Sequence, residues 1–208
     1  MSGSTQTVLS AKSADGKTSA VGNILLVGVG GQGIVLTSDI ITLAAMKAGF
    51  DAKKSEIHGM SQRGGSVFSH VRFGPKVWSP LLSEGSADIL LSMEEMETLR
   101  WARFAGPATR TFICMNRILP AGVTEYPTGI TEMIDARFAF VARIDPKDAL
   151  AKIGNPKTMN TYLAGVVSGL LPFAQDVWEG AVAELVPEKT IEANLTAFRA
   201  GRADASAK

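Results

Sequence analysis

Ile24-Leu25-Leu26-Val27-Gly28-Val29-Gly30-Gly31-Gln32-Gly33-Ile34-Val35-Leu36 is the stretch that decides the fold. Its first four residues are a short continuous apolar run, the pattern of a strand buried on both faces of a parallel sheet. The glycines at 28, 30 and 33 then satisfy G-x-G-x-x-G directly after that strand. Ile34 to Ala48 reads as a helix ended by Gly49 in a left-handed cap. Strand, glycine turn and helix make one βα unit. The helix is apolar on almost every side (Leu36, Ile40, Ile41, Leu43, Ala44, Ala45, Met46), so cover is expected from the sheet and from a further element or subunit.

Outward from this unit, residues 50–57 can form a second strand. Ser66 to Phe73 alternates, with Val67, Ser69, Val71 and Phe73 on one face and Phe68, His70 and Arg72 on the other. Asp88 to Ser92 is a further apolar strand, and Ser92-Met93-Glu94-Glu95 has capping-box spacing for a helix to about Phe104. Residues 111–115 and 138–142 read as strands, the latter followed by a helix over 145–153. Helices are expected over 158–171, 174–185 and 188–199. Strands alternating with helices and then a helical end predict α/β: a Rossmann-like, mostly parallel sheet with helices on both faces and a helical C-terminal end. The expected organisation is a flexible N-terminal arm over 1–21, one α/β domain over 22–201 and a tail over 202–208.

The bulk numbers exclude several classes. With 208 residues, one domain is the default. A net charge of +1, from 21 basic and 20 acidic residues, leaves no field to draw nucleic acid or anionic lipid. Cys114 is the single cysteine, so this chain can form no internal disulfide and cannot supply the four thiolates of an iron–sulfur cluster. That composition points to the cytoplasm. No apolar run approaches the ~20 residues of a membrane span, and the longest, around 162–174, contains Pro172 and two glycines. The first twenty residues lack the apolar segment of a secretory signal.

Two stretches could carry chemistry. In the turn Gly28 to Gly33, glycines let the backbone bend tightly beneath a helix N-terminus, whose N–H groups and macrodipole favour an anion such as a pyrophosphate. Glu56 stands about where a ribose-binding acid would end strand two. The same glycines also serve close strand–helix packing, and both readings stand. The second stretch is the loop His58-Gly59-Met60-Ser61-Gln62-Arg63-Gly64-Gly65, in which Ser61, Gln62 and Arg63 offer donors to a carboxylate, a phosphate or a partner's backbone. An ordinary surface connection is the competing account. His58 and His70 are the only histidines and have no ligand cluster around them, so no metal site is expected. Glu94, Glu95 and Glu97 lie in the first turn of a helix, where the macrodipole favours acids, and read as a helix start rather than an active site. Gly165 and Gly169, four apart, would let another element approach closely. Cys114 reads as a small buried hydrophobe. There is no Gly-Asp-Gly diphosphate motif, no Walker A lysine motif and no Gly-x-Ser-x-Gly elbow. A self-sufficient catalytic set is missing, and no catalytic residue is expected in this chain.

Gly28-Val29-Gly30-Gly31-Gln32-Gly33, followed by Ser55-Glu56-Ile57-His58-Gly59-Met60-Ser61-Gln62-Arg63-Gly64-Gly65-Ser66, closely resembles the gamma-type domains of the 2-oxoacid:acceptor oxidoreductase family. The Gly-Gly-Gln-Gly turn is shared across that family. His-Gly-Met-Ser-Gln-Arg-Gly-Gly is particular to small subunits of its indolepyruvate ferredoxin oxidoreductase (arylpyruvate) branch. The resemblance runs from about Gly22 to Gly201, including Glu192-Ala193-Asn194-Leu195 and Ala197-Phe198-Arg199. It implies a complex that decarboxylates aryl 2-oxoacids on thiamine diphosphate with magnesium, reduces ferredoxin through [4Fe-4S] clusters and releases an acyl-CoA from coenzyme A. It places those cofactors in a large alpha subunit, in a heteromer such as α2β2, and leaves this chain inactive alone. It also implies that Gly28, Gly30, Gly31, Gln32, Gly33, His58, Ser61, Gln62, Arg63, Gly64 and Gly65 face the partner, Gln62 and Arg63 as polar contacts. Alternatives are the gamma subunit of a related complex acting on pyruvate, 2-oxoglutarate or phenylglyoxylate, or a stand-alone NAD(P)-binding dehydrogenase.

Overall fold

The computed structural model describes residues 22–58, 64–119 and 122–206. Its strands are β1 (Gly22–Val29), β2 (Asp51–His58), β3 (Ser66–Gly74), β4 (Ala87–Ser92), β5 (Ala105–Cys114) and β6 (Phe140–Ile144). Its helices are α1 (Ile34–Lys47), α2 (Glu95–Arg100), α3 (Ile130–Arg137), α4 (Pro146–Ile153), α5 (Met159–Ser168), α6 (Gln175–Leu185) and α7 (Ile191–Ser206). The sheet order is β2-β3-β1-β4-β5-β6. β1, β4, β5 and β6 run parallel, while β3 is antiparallel to both β1 and β2.

Period-two alternation divides the apolar residues between two cores. Ile24 and Leu26 of β1, with Ile89 and Leu91 of β4, face a core shared with α1, α5, α6 and α7. Leu25, Val27 and Leu90 face the opposite core, closed by Phe104, Ile130, Ile134 and Phe138. The cover expected over the all-apolar α1 is therefore partly intramolecular, since α1 packs on α5 and α6. No helix among the described residues is long and apolar enough to cross a membrane.

Several boundaries differ from expectation for definable reasons. α3 was not anticipated, because only Ile130 and Ile134 of its eight residues are buried and so mark no long apolar stripe. Phe138, read as the start of a strand, is instead a buried residue at the end of α3, and β6 begins two residues later. α2 starts on Glu94 rather than Ser92: the Glu94 carboxylate accepts from the Glu97 N–H at 3.0 Å, and Ser92 donates to the Glu94 carbonyl at 2.7 Å. α7 continues through Ser206, so residues 202–206 are helix rather than tail. There the Asp204 carboxylate accepts from the Tyr162 hydroxyl at 2.5 Å and pairs with Lys152. Gly165 and Gly169 do admit another element: α5 lies directly against α7, with almost no space for a Cβ at Gly165.

His70, on β3, is a structural residue with a pH consequence. Its Nδ1 accepts from the Leu82 N–H at 3.0 Å, so the ring is neutral, with its proton on a buried Nε2. Burial, and secondarily the Arg103 charge, lower its pKa from 6.5 to about 4. A group whose charged form is disfavoured by folding contributes fully above its unfolded pKa. The contribution is lost as pH falls from about 6.5 to about 4. Urea titrations should show stability declining through that window with a slope that gains up to about 1.4 kcal/mol per pH unit from this one group. His70→Asn, which keeps an acceptor for Leu82, should flatten it; an unchanged profile would contradict the assignment.

Candidate functional site

α1 leaves β1 toward one face and α2 leaves β4 toward the other. The carboxyl ends of β1 and β4 thus flank a topological switch point, where open α/β sheets have a crevice. The glycine turn forms one wall. Gly28 is there because a Cβ would stand 2.6 Å from Gln32 Oε1 and 2.8 Å from Ile34 Cδ1. Gln32 folds back beneath the turn: its Oε1 accepts from the Val29 N–H at 2.9 Å, and its Nε2 donates to the Met93 carbonyl at 2.7 Å. It is a strut joining the end of β1 to the end of β4. Gly31 is exposed with φ +97°, and Gly33, the N-cap of α1, has φ +80°. Both angles favour glycine.

The loop motif meets the turn through backbone. Gly30 donates to the Gly65 carbonyl at 2.8 Å, and Val29 is in register with Ser66. Gly64 is exposed with φ +73°, and His58 ends β2 opposite Val67. Gly65 and the start of β3 are therefore brought beside Gly30, with the end of β2 one strand further out. Ser61, Gln62 and Arg63 lie outside the described residues.

Glu56 does not take the ribose-acid position. β2 runs in the direction of β1, but β3 is inserted between them, so Glu56 sits on the sheet edge two strands away. Its carboxylate accepts from Lys54 Nζ at 2.9 Å, and Lys54 also pairs with Asp39 at 2.5 Å. Strand order is not encoded in glycine spacing, and it takes Glu56 away from the place where a dinucleotide's ribose would need an acid.

Glu94, Glu95 and Glu97 begin α2 as expected, yet they are 0%, 1% and 4% exposed, which macrodipole placement does not require. Glu94 and Glu95 tie down the segment after β5, and Glu97 the start of β3. Glu94 Oε1 accepts from the Tyr126 hydroxyl at 2.6 Å and the Ile118 N–H at 3.3 Å. Burial, and then the Glu94 contact, push the Tyr126 phenol far above its usual range and keep it a donor. Glu95 pairs with Arg117 at 3.1 Å, and its N–H donates to the Asn116 carbonyl at 3.1 Å. Glu97 accepts from Ser66 Oγ, from Trp101 Nε1 at 3.1 Å and from Arg100 Nε at 2.8 Å. The three carboxylates thus fix the segment after β5 and the start of β3 around the crevice. Cap spacing revealed their helix, but residue type alone gave no sign of burial.

Cys114 is buried, and burial raises its thiol to about 11, so it is protonated at neutral pH. Among the described residues no three His, Cys, Asp or Glu side chains converge as a metal site.

Comparison with known proteins follows the same line. Residues 23–203 match the family described as pyruvate ferredoxin/flavodoxin oxidoreductase. Indolepyruvate oxidoreductase subunit IorB of Archaeoglobus fulgidus is 38% identical over 188 residues, covering 86% of this chain and 92% of that protein. The protein of the same name from Thermococcus kodakarensis is 35% identical, covering 86% and 93%. The gamma subunit of a keto/oxoacid ferredoxin oxidoreductase from Geobacter sulfurreducens shares the fold, with a TM-score of 0.69 at 22% identity over 91% of this chain and 98% of that one. A 2-oxoglutarate:ferredoxin oxidoreductase from Magnetococcus marinus, solved with 2-oxoglutarate, coenzyme A and succinyl-CoA, also has a TM-score of 0.69 at 21% identity. It matches 90% of this chain with 31% of its own, so the same fold recurs there within a longer polypeptide.

Proposed function

Because this chain belongs to the pyruvate ferredoxin/flavodoxin oxidoreductase family, we propose that it is the small subunit of an indolepyruvate ferredoxin oxidoreductase, inactive until joined by a large catalytic partner. The observation that carries the reading is near full-length similarity to IorB, 38% identity over 92% of that protein. The complex oxidatively decarboxylates aryl 2-oxoacids to acyl-CoA thioesters and passes the electrons to ferredoxin.

The residues of this chain do not fit the cofactors such a reaction needs. A [4Fe-4S] cluster takes four thiolates, and the one thiol is buried and protonated. Nor is there a diphosphate-and-magnesium motif. Thiamine diphosphate, magnesium and the clusters are therefore assigned to the partner, with CoA as co-substrate and a heteromer such as α2β2. What this chain supplies is shape: the surface turned toward the partner's reaction centre is the rim of Gly30, Gly31 and Gly33, propped from beneath by the buried Gly28 and the Gln32 strut, with the adjoining loop of His58, Ser61, Gln62, Arg63, Gly64 and Gly65. Glu97 holds the end of that loop through Ser66, while Glu94 and Glu95 fix the segment after β5 beside it.

Affinity-tagged chain should retain, from extracts of cells expressing it with its large partner, a polypeptide that carries iron and thiamine diphosphate. Arg63→Ala should keep assembly and lower turnover. Recovery of the tagged chain alone at every concentration would contradict the subunit assignment; undiminished turnover in the variant would reduce this chain to a scaffold.

A further inference from the structure

β2 is an outer strand of the sheet, and no described strand pairs with its far side. An open edge of eight residues is a template for a further strand, which soluble proteins commonly blunt with charge. Here the blunting charges neutralise one another within the chain. Lys53 pairs with Asp51 at 2.9 Å, and Lys54 with Asp39 at 2.5 Å and Glu56 at 2.9 Å. Apolar surface flanks the edge on both sides of the sheet. Ile57, in register with Phe68, is 54% exposed on one side. On the other lies α1, whose Met46 is 55% exposed and stands about two turns on from the Asp39 that touches Lys54.

The edge is also complementary to itself. When two copies of β2 join antiparallel about a two-fold axis normal to the sheet, each face stays on its own side and opposed residues share a face. An axis through residue 53, 54 or 56 would set Lys53, Lys54 or Glu56 against its own copy, like charge on like charge. An axis through Ser55 instead sets Lys54 against Glu56 of the second copy, and Glu56 against that copy's Lys54. It also sets Ile57 against Lys53 of the second copy, whose aliphatic stem can cover it. α1 packs over both β2 and β3 and so stands roughly one strand spacing from this axis. The two copies of α1 would then run antiparallel about 10 Å apart, the ordinary spacing of packed helices, with Met46 beside the seam.

We infer that two copies of this chain join antiparallel through residues 52–58 of β2, about a two-fold axis at Ser55, into one continuous sheet. Backbone hydrogen bonds and apolar cover supply the affinity, and the Lys54 and Glu56 pairs select the register. The inference goes beyond the subunit assignment and is independent of it, since β3 separates this edge from the glycine rim between β1 and β4.

Ser55→Cys in the full chain tests the axis. Opposed residues of an antiparallel pair have Cα atoms about 4.5–5.5 Å apart, within disulfide range, and the native Cys114 is buried. Mild oxidation should link the variant into a covalent dimer that a reductant reverses, whereas Lys53→Cys, on the same face but off the axis, should stay largely unlinked. In sedimentation the wild-type chain should show a concentration-dependent monomer–dimer equilibrium. Glu56→Lys, which opposes like charge to Lys54 of the second copy, should raise the dissociation constant about 10-fold or more while circular dichroism reports an unchanged fold. A wild-type chain monomeric at every concentration, equal linking of Ser55→Cys and Lys53→Cys, or wild-type dimerisation by folded Glu56→Lys would overturn the pairing. So would a monomeric chain whose β2 amides gain protection from exchange only when the large partner is added, which assigns the edge to that partner. A chain that dimerises but never captures a large partner would keep this inference and sink the proposed function.

Discussion

Gly165→Ala is expected to leave most of the chain unfolded under mild denaturing conditions in which the wild type stays native. The added methyl would stand 2.1 Å from the Phe198 carbonyl oxygen and 2.9 Å from the Arg202 nitrogen. Both are backbone atoms of α7, so no rotamer change relieves the contact. α5 and α7 would have to separate, opening the core around the fully buried Phe198, Ala164 and Val167. Overpacking costs typically 1–3 kcal/mol, and a methyl driven into helix backbone belongs at or above the top of that range, roughly 3 kcal/mol. Against a domain stability of about 5–15 kcal/mol the loss is large. Gly201→Ala meets the same crossing from the other side, 2.0 Å from the Tyr162 carbonyl oxygen. The double variant should lose less than the sum, because one separation relieves both contacts. Gly180→Ala is the control: nothing lies within 4 Å of its Cβ, and it should stabilise by up to about 1 kcal/mol. A urea midpoint for Gly165→Ala equal to that of the wild type would contradict the helix crossing described here.

Glu94→Leu is the second large effect expected. The carboxylate is fully buried and accepts from the Glu97 N–H, the Ile118 N–H and the Tyr126 hydroxyl. Leucine fills similar volume but abandons three donors, the buried Glu97 N–H and the part-buried Ile118 N–H and Tyr126 hydroxyl, and a stranded donor costs about 1–3 kcal/mol where water cannot reach it. The expected loss is about 3 kcal/mol, with the segment after β5 released first. Glu94→Gln keeps one acceptor oxygen, and Tyr126 can reverse its role by accepting from the new amide, so roughly 1 kcal/mol should be lost. Hydrogen exchange would report the difference: the Ile118 and Met96 amides should lose protection in Glu94→Leu well before β1 and β4. Uniform loss of protection would show that Glu94 supports the whole fold rather than the rim of the crevice.

The βα unit and its glycine turn were legible because a short apolar run, three spaced glycines and a capped helix agree with one another. The buried strands followed from continuous apolar runs. Strand order was not legible, since nothing local says that β3 inserts between β1 and β2, and that insertion carries Glu56 away from the turn. The acidic cluster was legible only in part. Glu94, Glu95 and Glu97 announce a helix start, whereas their burial depends on Tyr126, Arg117 and Ser66, which are distant in sequence. The two glycine-bearing motifs were read separately, and the Gly30–Gly65 hydrogen bond makes them neighbours.

The most direct test of the central claim is ferredoxin reduction driven by indolepyruvate and CoA, measured with this chain alone, with its large partner alone, and with the two mixed. The account predicts no reduction and no bound iron for this chain by itself, and full turnover only in the mixture. Turnover by this chain alone, or a large partner equally active without it, would contradict that claim.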